Sequence, residues 1–224
     1  GSARVELGNT DVIVGIKSDI GKPYPDTPEE GVMAVSAEFL ALASPDFEPG
    51  PPRENAIELA RVVDRAIRES KVIKFDKLCI APKKAVWMIY IDIDIMNDDG
   101  NLIDAAGIAA ATALLTAKLP KYTKEGDEYK VEYTEKSDES LPMTGIPIST
   151  TFIKIGSTIL ADPGLAEFGA LDARLTVGTL EGQKICSLQK GGSQGMTLFE
   201  IEKIVDMAIA RGDDLRAMIK RSIE

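Results

Sequence analysis

The sequence predicts an α+β fold in which mixed sheets pack against helices, and three observations carry that expectation. Two runs of strand-like segments are each followed by a helical pattern, as in a chain that builds sheet and covers it twice. Val86 to Ile95 alternates with period two, Ile89, Ile91, Ile93 and Ile95 on one face and Tyr90, Asp92 and Asp94 on the other, so one face of this strand is core. The run Ala105-Ala106-Gly107-Ile108-Ala109-Ala110-Ala111-Thr112-Ala113-Leu114-Leu115 is helical in composition and small nearly all round, which suits a central helix approached closely by its neighbours. Asn97-Asp98-Asp99-Gly100-Asn101 is turn chemistry between strand and helix, and Asp104 is placed to cap the helix.

The other elements follow in chain order. Ala3 to Leu7 and Val12 to Lys17 read as strands around a Gly8-Asn9-Thr10-Asp11 turn. After a Pro-rich loop from Lys22 to Glu30, Val32 to Leu40 reads as a third strand, with Val35, Ala37 and Phe39 opposed to Ala34, Ser36 and Glu38. Pro45, Pro49, Pro51 and Pro52 exclude regular structure before a helix from Glu54 to Ser70. That helix offers Ile57, Leu59, Ala60, Val62, Val63, Ala66 and Ile67 to the core and carries Arg61, Arg65 and Arg68 on the opposite side. Residues 119–140 are charged and weakly periodic, a surface excursion with at most a short strand from Tyr129 to Thr134. The excursion separates a first half, 1–118, from a second half, 141–224, of what reads as one domain. Ile148 to Ile155, Ser157 to Ala161, Ala173 to Thr179 and Lys184 to Gln189 supply four more strands. Thr197-Leu198-Phe199-Glu200 is a capping box that opens an amphipathic helix running to the end of the chain, with Gly212 as a kink or interruption.

Composition removes several function classes. With 44% apolar and 28% charged residues, no apolar run of membrane-spanning length and no signal segment, the chain reads as a soluble, cytoplasmic protein. Two cysteines give no disulfide framework, and the absence of histidine excludes His-based acid, base or metal chemistry. A net charge of -10 argues against wholesale nucleic-acid binding and leaves room only for a local basic patch. Asn97, Asp99 and Gly100 imitate part of a calcium loop, but Ile95 and Ala106 fall at its first and twelfth ligand positions, so neither a metal nor a cofactor is expected.

The runs YPDTPEEGVMAVSAEFLALASPDFEPGPPRENAIELARVVDRAIRES, WMIYIDIDIMNDDGNLIDAAGIAAATALL and ILADPGLAEF resemble the RNase PH-like subunits of the archaeal exosome, most closely the non-catalytic one of its two kinds. The resemblance covers nearly the whole chain. It implies an RNase PH-like, ribosomal-protein-like α+β fold and a hetero-hexameric ring of catalytic and non-catalytic subunits bearing RNA-binding cap proteins. Single-stranded RNA threads such a ring and is shortened from its 3′ end by phosphorolysis. Members usually begin with a helix and a strand ahead of the point where this chain starts, so an N-terminal truncation is expected.

In the family's catalytic subunits a Gly-Ser/Thr-Arg sequence opens the central helix and supplies a hydroxyl and a guanidinium to inorganic phosphate, at a helix N-terminus suited to an anion. This chain has Gly100-Asn101-Leu102 there, with Asp98, Asp99 and Asp104 close by to repel phosphate. Catalytic members also carry two aspartates six positions apart; Asp162 fits the first, Phe168 stands at the second, and Glu167 is one residue out of register. No catalytic residue is therefore assigned. Spacing alone reads the arginine stripe as a solvated face with Glu58–Arg61 and Asp64–Arg68 pairs, each contributing ~0.2–0.5 kcal/mol. The resemblance instead implies that Arg61 and Arg65 hold RNA phosphates at a neighbour's active site. Two rivals remain: an active phosphorolytic 3′–5′ exoribonuclease, and a scaffold of the same fold without RNA contact.

Overall fold

The computed structural model describes residues 1–126 and 128–223. The first half contains β1 (Ser2–Leu7), β2 (Thr10–Gly21), β3 (Val32–Phe39), α1 (Glu54–Ser70), β4 (Cys79–Ala81), β5 (Ala85–Asn97) and α2 (Leu102–Thr116). A ribbon of β6 (Lys118–Glu125) and β7 (Glu128–Ser140) follows. The second half contains β8 (Ile148–Ile155), β9 (Thr158–Ala161), α3 (Leu165–Gly169), β10 (Ala173–Leu180), β11 (Lys184–Gly191) and α4 (Leu198–Ile223). Among the described residues no helix is long and apolar enough to cross a membrane.

β5 is the spine of the first sheet, whose order is β1-β2-β5-β3 with β4 paired to the start of β5. The sheet is mixed because β3 runs parallel to β5 while β2 runs antiparallel to it. The alternation along β5 is realised: Ile89, Ile91, Ile93 and Ile95 are buried, and Tyr90, Asp92 and Asp94 face the half-open side. Asp92 there accepts from Lys17 and Ser36, so the polar face is held by cross-strand bonds to β2 and β3. The second sheet, β11-β10-β8-β9, is antiparallel throughout. α4 covers it by packing Ile204 and Ala208 on Phe152, Leu175 and Val177.

α2 lies between the two sheets, which explains its composition. Ala105, Ala106, Ala109 and Ala110 belong to the core of the first half, while Ala111 packs with Ile146, Ile148 and Ile219 of the second. A side chain larger than Ala on either side would force the layers apart.

Four local expectations need correction. α2 begins at Leu102, and its N-cap is Asn101 with φ 45°, so Asp104 lies inside the first turn instead of capping it. Successive positive φ values at Gly100 (101°) and Asn101 turn the chain early and free Asp104 to reach across to β8. Gly212 neither kinks nor interrupts α4; it lies where a side chain would overlap the Thr179 hydroxyl, and so lets the helix sit close to β10. The charged 119–140 segment is largely strand, paired in register as Tyr122↔Val131 and Lys124↔Tyr129. Both faces of that ribbon carry polar side chains, which erased the period-two signal; its tip, residue 127, lies outside the described residues. Ile57, fourth, is half exposed on α1 and does not belong to the core.

Candidate nucleic-acid interface

α1 crosses both halves, burying Ala56, Leu59, Ala60, Val62, Val63, Ala66 and Ile67 against β3, α2, β10 and β11. It ends where Lys71 adopts φ 54° and returns its N–H to the Arg68 carbonyl. Ile57 does not anchor it: this side chain is 49% exposed, because it lies just past the edge of the apolar arc and starts the stripe Ile57-Arg61-Arg65 at four-residue spacing.

The three arginines have different fates. Arg68 pairs with Asp64 at 2.6 Å, as its spacing foretold, and also donates to the Met33 carbonyl at 3.1 Å. The Asp64 hydrogen bond is the main cause that pushes the Arg68 guanidinium further up in pKa. Arg61 does not receive its expected partner. Glu58 accepts instead from Arg174 of β10 at 2.5 Å, a residue 116 positions away and buried beneath the Phe168 ring, 5.9 Å from its centroid. Arg61 therefore makes no ion pair among the described residues. Arg65 donates from Nη1 to Gln189 Oε1 of β11 at 3.4 Å, a long bond that leaves its charge unneutralised. Arg61, Arg65, Ile57 and Gln189 line one cleft of about 300 Å³ between α1 and β11. Sequence reasoning missed Gln189, because only the packing of the helix shows that β11 lies beside α1.

The start of α2 is built from amides and carboxyls. Gly100 bridges to Gly164, and an added Cβ would lie 2.6 Å from the Pro163 carbonyl, so the turn requires glycine. Thr10 fixes it by donating to the Gly100 carbonyl at 2.7 Å and accepting the Asp99 N–H at 3.0 Å. Asn101 Nδ2 donates both to Asp104 Oδ2 at 3.0 Å and to Asp162 Oδ1 at 2.7 Å. Asp104 also accepts the Thr151 amide at 2.9 Å and hydroxyl at 2.7 Å. Burial pushes its carboxyl up to about 6, against the opposing pull of those donors. Asp162, itself exposed, is thus tied to the helix start. Glu167 closes its own one-turn helix by accepting the Gly164 N–H at 2.9 Å, and Phe168 covers Arg174. The Arg174 guanidinium, which lines one pocket with Gly100 and Asn101, is already neutralised by Glu58. Among the described residues no group of three or more Asp, Glu, Cys or His side chains is arranged to hold a metal ion.

Two sheets sharing one small-residue helix, with a second helix laid across both, constitute the RNase PH-like fold that the resemblance implied. The chain belongs to the 3′ exoribonuclease family: residues 1–120 match its domain 1 and residues 145–211 its domain 2. It is 47% identical over 224 residues to the exosome complex component Rrp42 of Pyrococcus furiosus, covering 100% of this chain and 80% of that protein. To the Methanopyrus kandleri protein of the same description it is 44% identical over 223 residues, covering 100% of this chain and 83% of the relative. Among solved structures it matches a chain of an Archaeoglobus fulgidus exosome with RNA bound to the active site. The TM-score is 0.85 with 39% identity, over 100% of this chain and 83% of that one. Rice Rrp46 shares the fold at TM-score 0.73 with 14% identity, over 99% of this chain and 87% of that one.

Proposed function

We propose that this chain is a non-catalytic, RNA-contacting subunit of a cytoplasmic exosome-type ring that shortens RNA 3′ to 5′ by phosphorolysis. In that ring a catalytic RNase PH-like subunit performs the chemistry, cap proteins deliver RNA, and this subunit completes the partner's active site. The observation that carries the reading is the pair Arg61 and Arg65: exposed, four residues apart on a rigid helix, and left charged because Glu58 is taken by Arg174. Two guanidiniums at that spacing suit successive phosphates of a single strand. The start of α2 argues for the non-catalytic half of the reading. It places Asn101 and Asp104 where phosphate would need a cation, and Phe168 stands where the second family carboxylate would be.

The test is the double variant Arg61→Ala/Arg65→Ala, assembled with a catalytic partner. Folding is expected to change little, within about 0.5 kcal/mol, because both side chains lie on an exposed face. RNA affinity falls for all sequences alike, and the slope of log affinity against log salt drops by about 0.7 per lost phosphate contact on a single strand. Turnover of the ring on long RNA falls with it. Normal assembly with unchanged affinity and slope would leave the arginines as a solvated face and support the scaffold reading instead.

A further inference from the structure

The cleft beside the two arginines contains more than charge. Its volume of about 300 Å³ is at the lower end of the range for small-ligand sites, ~300–1,000 Å³. Ile57 supplies an apolar floor, half exposed. Gln189 is half-buried on β11, and since Arg65 can only donate, the amide must turn its oxygen to the guanidinium. Its Nε2 end is then the one without a partner among the described residues. Glu54, Glu58 and Val62 complete the lining, with the Glu58 carboxylate already paired to Arg174, and the guanidinium pair, apolar support and neutral amide donor match the three parts of a nucleotide: phosphate, sugar or base face, and hydroxyl.

We propose that the cleft between α1 and β11 seats one nucleotide of single-stranded RNA, with Gln189 bonding the ribose 2′-hydroxyl, Ile57 supporting the sugar or base, and Arg61 and Arg65 holding the flanking phosphates. The proposal rests on the RNA-contacting reading above and adds a determinant of sugar identity to it. A 2′-hydroxyl both donates and accepts, so it satisfies the free amide where a deoxyribose leaves it unpaired. Base identity is not read, since Ile57 offers no hydrogen bond. The seat thus prefers RNA to DNA without preferring a sequence.

The experiment uses the ring assembled with a catalytic subunit in the absence of inorganic phosphate, so that RNA stays intact. Fluorescence anisotropy compares an oligoribonucleotide with its deoxy counterpart at several salt concentrations. Gln189→Met keeps the length of the side chain and removes the hydrogen bond. RNA affinity is expected to fall about 3- to 10-fold, the equivalent of one neutral hydrogen bond, with DNA affinity and salt slope unchanged. Ile57→Ala should weaken RNA and DNA alike at unchanged slope. If Gln189→Met weakens RNA and DNA by the same factor, Gln189 only steadies Arg65 and the seat is refuted; a silent Gln189→Met refutes it equally. An Arg61→Ala/Arg65→Ala ring with unchanged affinity for both nucleic acids removes the RNA-contact reading and the seat together. A weakened double arginine variant beside a silent Gln189→Met removes the seat alone.

Discussion

Asp104 accepts from the Thr151 amide, the Thr151 hydroxyl and Asn101, yet burial outweighs all three donors and lifts its carboxyl to about 6. In the unfolded chain the same group titrates near ~3.9. The folded state therefore binds the proton more tightly. Its stabilising effect is fully present below pH ~4 and is lost as pH rises to ~6, by about 3 kcal/mol for a shift of about two units. Asp104→Asn should remove that slope without breaking the network, because the Thr151 hydroxyl can accept from the new amide while donating to Thr176, 3.0 Å away. Urea midpoints from pH 4 to 7 check it: the wild-type curve should fall relative to the variant, and two parallel curves would mean that Asp104 is ionised throughout. Sequence alone reads this residue as a helix cap. The partner that changes its role, Thr151, is 47 positions away on β8, beyond the reach of any local pattern.

At the scale of elements, α3 is a single turn with a large effect. It places Phe168 over Arg174, while the β9–α3 turn directs Asp162 to Asn101. Restoring the second family aspartate by Phe168→Asp would put a carboxylate beside a guanidinium that already has Glu58, and the start of α2 would still lack a cation. That variant should release no nucleoside diphosphate from labelled RNA in phosphate buffer. Release above the level of the unmodified chain would show that the phosphate site has been misjudged. Elements with one wet face and one dry face were legible from sequence, as β5 and α4 were, because burial imposes its period on them. The β6–β7 ribbon was not, since solvent on both sides imposes none. Ile57 departs from its expected burial for a related reason: the apolar arc of α1 is wide, and periodicity does not say where the partner surface ends.

Across the whole molecule, the join between halves depends on contacts that sequence order conceals. Glu58 and Arg174 connect α1 to β10, and the guanidinium is buried where the carboxylate is half exposed. Removing one partner of a fully buried pair costs ~3–5 kcal/mol, and solvent at Glu58 reduces this to about 1–3 kcal/mol. Glu58→Ala should lose that much in urea unfolding, while Arg61→Ala, one turn along the same helix, should stay within about 0.5 kcal/mol. Equal losses would mean that the bridge adds nothing to the join. The fold class and the central place of α2 could be read from composition and period. The freedom of Arg61 and the presence of Gln189 could not, because both follow from which strands lie beside α1.

The placement of α1 has a mechanical consequence. On the proposed reading, a strand drawn past Arg61 and Arg65 would pull on a helix braced by β3 in one sheet and by β10 and β11 in the other. The tension would then be shared as shear across both sheets, and the guide would keep its shape while the polymer slides.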